Sequence, residues 1–387
     1  MSVSKVHIMS LDRILLCSPH MGGKELQYIQ EAFDTNWIAP AGSNIDVFEK
    51  DLENYLKKGN VTLLNSGTAA IHLGLIILGV QAGDFVICQS MTFSASAYPI
   101  LYLGAVPVFI DSENETYNLC PVALEEAILG CLKINKKPKA IIAVHLYGVP
   151  YKVDEIRMIA DKYGMSILED SAEALGSKYK GQMCGTFGDV GVLSFNGSKI
   201  ITTSGGGALI TRTAQLKQKA IFLATQAKDK APHYQHSEIG YNYRMSNISA
   251  GIGRGQIEVL NDHIVFKDTI HQFYAELFKN IDGVDVYTVT NSISFANYWL
   301  TTILIDPKTT KGINKEMLRL AFQSKNIESR PLWKPLHLQP VFSQYHYYGT
   351  NVSENLFENG LCLPSGPIMS AAHKDRIQVV VQELFGT

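Results

Sequence analysis

The chain has 387 residues, 46% apolar and 18% charged, with a formal net charge of −2. That length and balance describe a folded protein with room for two domains and a large core. They exclude a basic nucleic-acid footprint or membrane patch, and no apolar run reaches the ~18 residues of a membrane span.

The N-terminal stretch is interrupted by Lys5, His7, Asp12 and Arg13 and lacks a signal-peptide core. Six cysteines (Cys17, Cys88, Cys120, Cys131, Cys184, Cys362) are scattered without a C-x-x-C pair, as free thiols of a reducing compartment are. The expected home is the cytoplasm, with no nucleic-acid or membrane partner. Helical spacing begins at 24–33, and a turn-rich segment with Asn36, Trp37, Ile38 and Ala39 follows. From residue 43 the pattern alternates. Helices are expected over 45–57, 68–78, 93–103, 122–132 and 153–163, and strands over 61–64, 85–88, 107–110, 140–145 and 166–169. Near-continuous apolar strands separated by helices predict an α/β protein with a mostly parallel sheet covered on both faces.

After Gly188 two strand-like runs, VGVLSF and IITT, flank Lys199, and a helical run begins at Ala214. One long helix over 246–264 leads out of the large domain. A helix, two strand-like runs (299–305 among them), a helix near 315–324 and a last helix from Ala371 make a smaller α+β domain. The expected division is an N-terminal segment 1–42, a large domain 43–260 and a small domain 261–387.

Such sheets bind ligands at the carboxyl ends of their strands. Lys199, held between short runs, is a candidate nucleophile, since burial disfavours the ammonium form; an edge-blunting lysine is the alternative. Asp170 closes the strand SILED, where it either faces the ligand crevice or caps a following helix. Asn65-Ser66-Gly67-Thr68 joins a strand to a helix, and hydroxyls, a close-approach glycine and free N–H groups suit a phosphate. Ser194 and Asn196 precede Lys199 and add phosphate or hydroxyl contacts. Phe93 follows a strand end, where its ring either covers a flat ligand or joins the core. Lysine, carboxylate, phosphate cradle and aromatic ring together fit pyridoxal 5'-phosphate, whose ring serves as an electron sink when its pyridine nitrogen is kept protonated. His233-x-x-His236 with Glu238 has no second shell to read, and no metal is expected. Asn196 and Asn247 head glycosylation sequons that a cytoplasmic protein would not use. Arg244 and Arg330 suit carboxylate or phosphate recognition, or structural ion pairs.

With these residues in order, the chain resembles the DegT/DnrJ/StrS family of pyridoxal-phosphate-dependent nucleotide-sugar aminotransferases, of the type I aminotransferase fold. The resemblance runs from about Ser18 to the C-terminus through SPHMGGKE, NWIAP, NSGTAAIHL, TFSASAYPI, PVFID, HLYG, LEDSAEALGS, the 185–209 run around Lys199, GYNYRMSN, SRPLWKPLH and CLPSG. It is most similar to the branch that aminates UDP-linked 4-keto-6-deoxy-N-acetylhexosamines, as in bacillosamine-type pathways. The resemblance implies that Lys199 carries the cofactor, Asp170 pairs with its pyridine nitrogen and Phe93 stacks on its ring. Glu173 would lie beside its hydroxyl, and Gly67, Thr68 and Ser194 would hold its phosphate. It implies a homodimer with shared active sites, in which Asn242 reaches the other subunit's cofactor phosphate and the N-terminal segment lies at site and interface. Asn36, Trp37, Ile38, Ala39, Asn196, Arg330, Pro331, Leu332 and Trp333 would line the sugar-nucleotide pocket. L-Glutamate is the implied amino donor and a surface polysaccharide or glycan the destination. Many relatives carry an acidic residue where this chain reads TSGGG. Relatives with histidine for the lysine are dehydratases; Lys199 favours transamination over dehydration, cyclitol amination or a non-catalytic regulatory role.

Overall fold

The computed structural model describes residues 12–386. Residues 1–11 of the expected N-terminal segment, with Lys5 and His7, lie outside the described residues. An eight-stranded sheet runs in the order 60–64, 207–211, 190–194, 166–170, 140–144, 85–89, 106–110, 347–348. Five successive pairs, from 190–194 to the 347–348 edge, are parallel, and only Gly207–Thr211 runs against its neighbours. All but the two-residue 347–348 edge are five-residue, largely apolar runs with both faces buried. Ile142 and Val144 enter one core with Leu168 and Val192, while Ile141 and Ala143 enter the other with Ile87 and Ile167. This is the period-two alternation of a strand between two helical layers.

Helices Gly67–Ile77, Pro121–Lys133 and Val153–Tyr163 connect the strands as the spacing predicts. Three expectations change. The 93–103 helix is broken into a 3-10 turn, Ser94–Ser96, and a short helix, Tyr98–Tyr102, because Pro99 has no N–H to continue the first turn. The 246–264 helix is two helices, Asn247–Glu258 and Leu260–Phe278, meeting at Val259, which leaves helical geometry at φ −107°, ψ 8°. IITT is not a strand. Ile200 and Ile201 are both buried, and Thr203 N–H closes back on Phe195 O at 2.9 Å, so 195–206 is a closed loop. The strand that pairs with Val190–Ser194 is Gly207–Thr211.

Beyond Leu260–Phe278 lies an antiparallel sheet of four short strands in the order 284–286, 302–305, 360–362, 330–331. It is packed on Ala371–Phe385 and Lys315–Ser324 through Ile303, Leu318, Phe322 and Ile377. This part also sends Tyr347–Tyr348 back to the edge of the large sheet. Among the described residues no helix is long and apolar enough to cross a membrane.

Candidate active site

Strands 166–170 and 190–194, the 195–206 loop and the start of helix Gly67–Ile77 surround a cavity of about 280 Å³ at the carboxyl end of the sheet. At one end Ser66 caps the helix, its Oγ accepting Ala69 N–H at 3.0 Å. The next N–H groups, of Gly67 and Thr68, have no intrahelical acceptor and join the Ser194 hydroxyl at the cavity wall. The glycine run is explained by contact. A Cβ on Gly207 would lie 2.4 Å from Gly67 N, and one on Gly67 would lie 3.1 Å from Ser194 Cβ. Glycine lets strand 207–211 pass directly beneath the helix start.

Asp170, 3% exposed, ends its strand and caps no helix. Its Oδ2 accepts the Ser96 hydroxyl at 2.7 Å, and its Oδ1 accepts Ala172 N–H at 3.1 Å. Ser96 is held in turn by Thr92 Oγ1 at 2.9 Å. The carboxylate is therefore fixed in direction with a face left to the cavity.

Lys199 comes from the closed loop, its N–H bonded to Asn196 O. Nζ lies 3.6 Å from Glu173 Oε1 and 4.1 Å from the centre of the Trp299 ring, an ion pair and a cation–π contact in a mostly buried setting. Burial pushes the Glu173 carboxyl above its ordinary range, while Lys199 and the Tyr147 N–H, 2.7 Å from Oε2, pull it back. Phe93 and Trp333 meet at 5.3 Å between ring centres and form an aromatic wall. The indole N–H of Trp333 is buried on the Glu173 side of the cavity and completes no hydrogen bond of ordinary geometry.

The chain matches the DegT/DnrJ/EryC1/StrS aminotransferase family over residues 19–383. It belongs to that family. It is 47% identical over 379 residues to a protein named as the pyridoxal phosphate-dependent aminotransferase EpsN of Bacillus subtilis (strain 168), covering 97% of this chain and 96% of that one. It is 38% identical over 353 residues to a GDP-perosamine synthase of Escherichia coli O157:H7, covering 91% and 93%. The crystal structure of a family aminotransferase from Brucella abortus superposes with a TM-score of 0.87 at 31% identity, covering 94% and 96%. The chain is therefore a pyridoxal-phosphate-dependent sugar aminotransferase with the type I fold of that family.

The site of the aminotransferase fits that cofactor on its own chemistry. A lysine amine and a fixed carboxylate share one cavity with a cradle of free N–H groups and hydroxyls, and an unpaired indole N–H stands in its wall. Of the residues singled out in the sequence, Gly67, Thr68, Phe93, Asp170, Glu173, Ser194, Asn196, Lys199 and Trp333 line this cavity. Others do not. Asn36, Trp37, Ile38 and Ala39 form an exposed segment, pinned where Asn247 Nδ2 donates to Trp37 O and Asn247 N–H to Ala39 O. Asn247 is itself buried. Asn242 is exposed, five residues before the helix Asn247–Glu258, with its Oδ1 accepting from Gln226 Nε2. Leu332 is buried in an apolar cluster with Tyr147 and Trp299. Arg330 and Pro331 line a different cavity, and Arg330 pairs with Glu328 at 2.9 Å. Arg244 is a buried structural ion pair with Glu49.

Sequence reasoning missed Trp299, Ser96, Thr92 and Tyr147. Trp299 was detectable only as one of three tryptophans, since it reaches Lys199 from the C-terminal part of the chain. His236 is bonded to Gln226 O and Glu238 to Lys219. The one group of metal-ligand type among the described residues is His145, Glu169 and Cys184. There Glu169 takes the His145 ring at 2.7 Å and the N–H groups of Gly185, Phe187 and Gly188, so its lone pairs are occupied by structural bonds. Ser90, His337 and Glu354 stand in the order of a hydrolytic triad, at 2.7 and 3.2 Å. Ser90 is fully buried, so its hydroxyl is closed to an acyl substrate.

Proposed function

We propose that this aminotransferase moves the amino group of L-glutamate to the 4-keto carbon of a nucleotide-linked 4-keto-6-deoxy sugar, with UDP as the nucleotide, for surface polysaccharide or glycan synthesis. The observation that carries the reading is the meeting of Lys199, Asp170, Glu173 and the Gly67–Thr68–Ser194 cradle in one cavity with an aromatic wall. Pyridoxal phosphate bound there supplies the electron sink for the carbanion formed as the amine is exchanged. Lys199 Nζ would hold it and serve as the base and acid that moves the proton at the substrate carbon. Asp170 would keep a proton on its pyridine nitrogen, Glu173 would lie beside its hydroxyl, and Phe93 would cover its ring. Gly67, Thr68 and Ser194 bind the phosphate, and Asn196 and Trp333 face the sugar.

A homodimer completes the reading. Leu26, Phe33, Trp37 and Ile38 expose 78, 56, 58 and 43% of their surface along one N-terminal stretch, an apolar face for a second copy. In that dimer Asn242 reaches the other subunit's cofactor phosphate, and Asn36, Trp37, Ile38 and Ala39 line the sugar-nucleotide pocket at the interface. The division into 1–42, 43–260 and 261–387 belongs to the same reading, as does the cytoplasm, for which the six unpaired cysteines speak.

Two experiments test this. The first is a panel of UDP-, GDP- and dTDP-linked 4-keto sugars with glutamate, read by mass spectrometry. The amino sugar should form from a UDP substrate. Because one relative is named for a GDP-linked product, amination of GDP substrates alone would replace the nucleotide and keep the reaction. A chain that binds cofactor yet never exchanges glutamate's amine is a regulator instead. The second experiment mixes subunits. Asn242→Asp puts a carboxylate beside the partner's cofactor phosphate and weakens its binding, and Lys199→Ala is inactive. A randomly mixed pair makes half the dimers mixed, each with one intact site of two, so roughly a quarter of wild-type activity should return. No recovery in mixed dimers isolated with two tags would mean that Asn242 does not serve a shared site.

A further inference from the structure

The strand Ala140–Val144 ends in a single 3-10 turn, Leu146–Gly148, whose central residue has left-handed backbone geometry. Tyr147 has φ 53° and ψ 20°, a conformation that bulky side chains avoid unless their surroundings enforce it. Here they do. Leu146 N–H is held by Asn118 Oδ1 at 2.9 Å, and His145 N–H by Asp170 O at 3.1 Å. Gly148, at φ 91°, is packed so closely on Asn297 that a Cβ would lie 1.9 Å from its Oδ1. Asn297 Nδ2 donates to Glu173 O at 3.0 Å, so the turn and the Glu173 backbone are tied to one side chain.

Each part of Tyr147 then meets the active site. Its N–H donates to Glu173 Oε2 at 2.7 Å, on the carboxylate whose other oxygen faces Lys199. Its hydroxyl oxygen accepts the backbone N–H of Trp333 at 2.8 Å. Its ring, 4% exposed, lies 18° from the planes of both Trp299 and Trp333, at 6.5 and 6.3 Å between centres. The left-handed turn permits all three at once, because it aims the N–H at Glu173 while the side chain lies between the two indoles.

We propose that Tyr147 is a positioning residue that holds Glu173 beside Lys199 with its strained backbone N–H and sets Trp333 with its hydroxyl. The inference rests on Lys199 being the cofactor lysine. The N–H also opposes the rise that burial gives the Glu173 carboxyl, and a carboxylate kept charged stabilises a cation beside it.

The test separates backbone from ring. Alanine in place of tyrosine keeps a Cβ, and with it the strain of the left-handed turn, but loses the ring packing that helps Asn118, Asp170 and Asn297 hold it, so the backbone relaxes and the N–H leaves Glu173. Glycine also loses the ring but occupies φ near +53° without strain. In the loaded enzyme, the pH midpoint of the visible band of lysine-attached cofactor should fall by about half a unit or more in Tyr147→Ala. In Tyr147→Gly it should return toward the wild-type value, although packing alone ranks glycine no better than alanine. Tyr147→Phe keeps the ring and backbone but not the acceptor for Trp333 N–H. Its KM for the sugar should rise about 5-fold, the scale of one hydrogen bond, with the glutamate half-reaction unchanged. In the cofactor-free chain, the near-ultraviolet circular dichroism of Trp299 and Trp333 should survive in Tyr147→Phe and diminish in the other two. Equal midpoints in the alanine and glycine variants, or an unchanged sugar KM in Tyr147→Phe, overturns the proposal. The phenylalanine variant keeps the test decisive if the alanine variant fails to fold. A wild-type visible band that survives in Lys199→Ala would instead overturn the lysine assignment beneath it.

Discussion

Lys199→Ala is expected to leave a folded protein whose turnover falls by about 10⁴-fold or more, the upper end for a positioned proton-transfer group. The visible absorbance of lysine-attached cofactor should go with it. No other lysine lines the cavity among the described residues, so no neighbouring amine can substitute. The side chain it leaves behind has its own signature. Burial raises the Glu173 carboxyl above 4.5, and Lys199 is the largest influence opposing that rise. Without the ammonium the folded-state value rises further, and the folded variant holds a proton that the unfolded chain releases. A raised carboxyl contributes stability that is complete below the unfolded value and is lost as pH climbs through the folded one. Thermal melts from about pH 5 to pH 8 should therefore show the variant losing more Tm with rising pH than the wild type. Turnover that persists with the cofactor bound defeats the assignment, whatever the melts show.

Asp170→Asn should retain cofactor and lose about 10²- to 10³-fold in rate, the scale of one preorganised charge-stabilising group. The substitution is nearly isosteric. The amide oxygen can still accept Ala172 N–H, and the Ser96 hydroxyl can turn to accept from the amide nitrogen. The shape of the site is thus preserved while the negative charge is lost. An amide does not hold a proton on a pyridine nitrogen, so the ring loses its power to take up the carbanion's electrons. Steady-state rates beside a cofactor-binding titration check this. Rates within a few-fold of wild type would reduce Asp170 to a strand-end anchor for Ala172.

What the chain determines by itself is the part set by neighbours in sequence. Ser166–Asp170 and Val190–Ser194 are legible because a strand buried on both faces needs a short apolar run, here Ile167–Leu168 and Val190–Leu193. The Ser66-Gly67-Thr68 turn is legible because a helix start needs a cap and leaves N–H groups free. Asp170 at a strand end and Lys199 four to five residues past another are fixed by the same local pattern, so the two polar centres of the site can be read before any fold is known. Local pattern fails where a side chain answers to a distant partner. IITT has the composition of a strand, yet Ile200 and Ile201 are both buried and the threonine backbone closes on Phe195, so the loop that presents Lys199 takes the strand's place. Tertiary structure alone decides what stands around the lysine. Trp299 is 100 residues away in the chain, and Ser96 reaches Asp170 across 74. Arg330 turns to Glu328 while Trp333, three residues on, enters the cavity. Such pairings have no periodicity to read, because they depend on which strand ends the sheet order brings together. The left-handed turn at Tyr147 has the same cause: its conformation is imposed by Asn118, Asp170 and Asn297, none of which is adjacent to it in sequence.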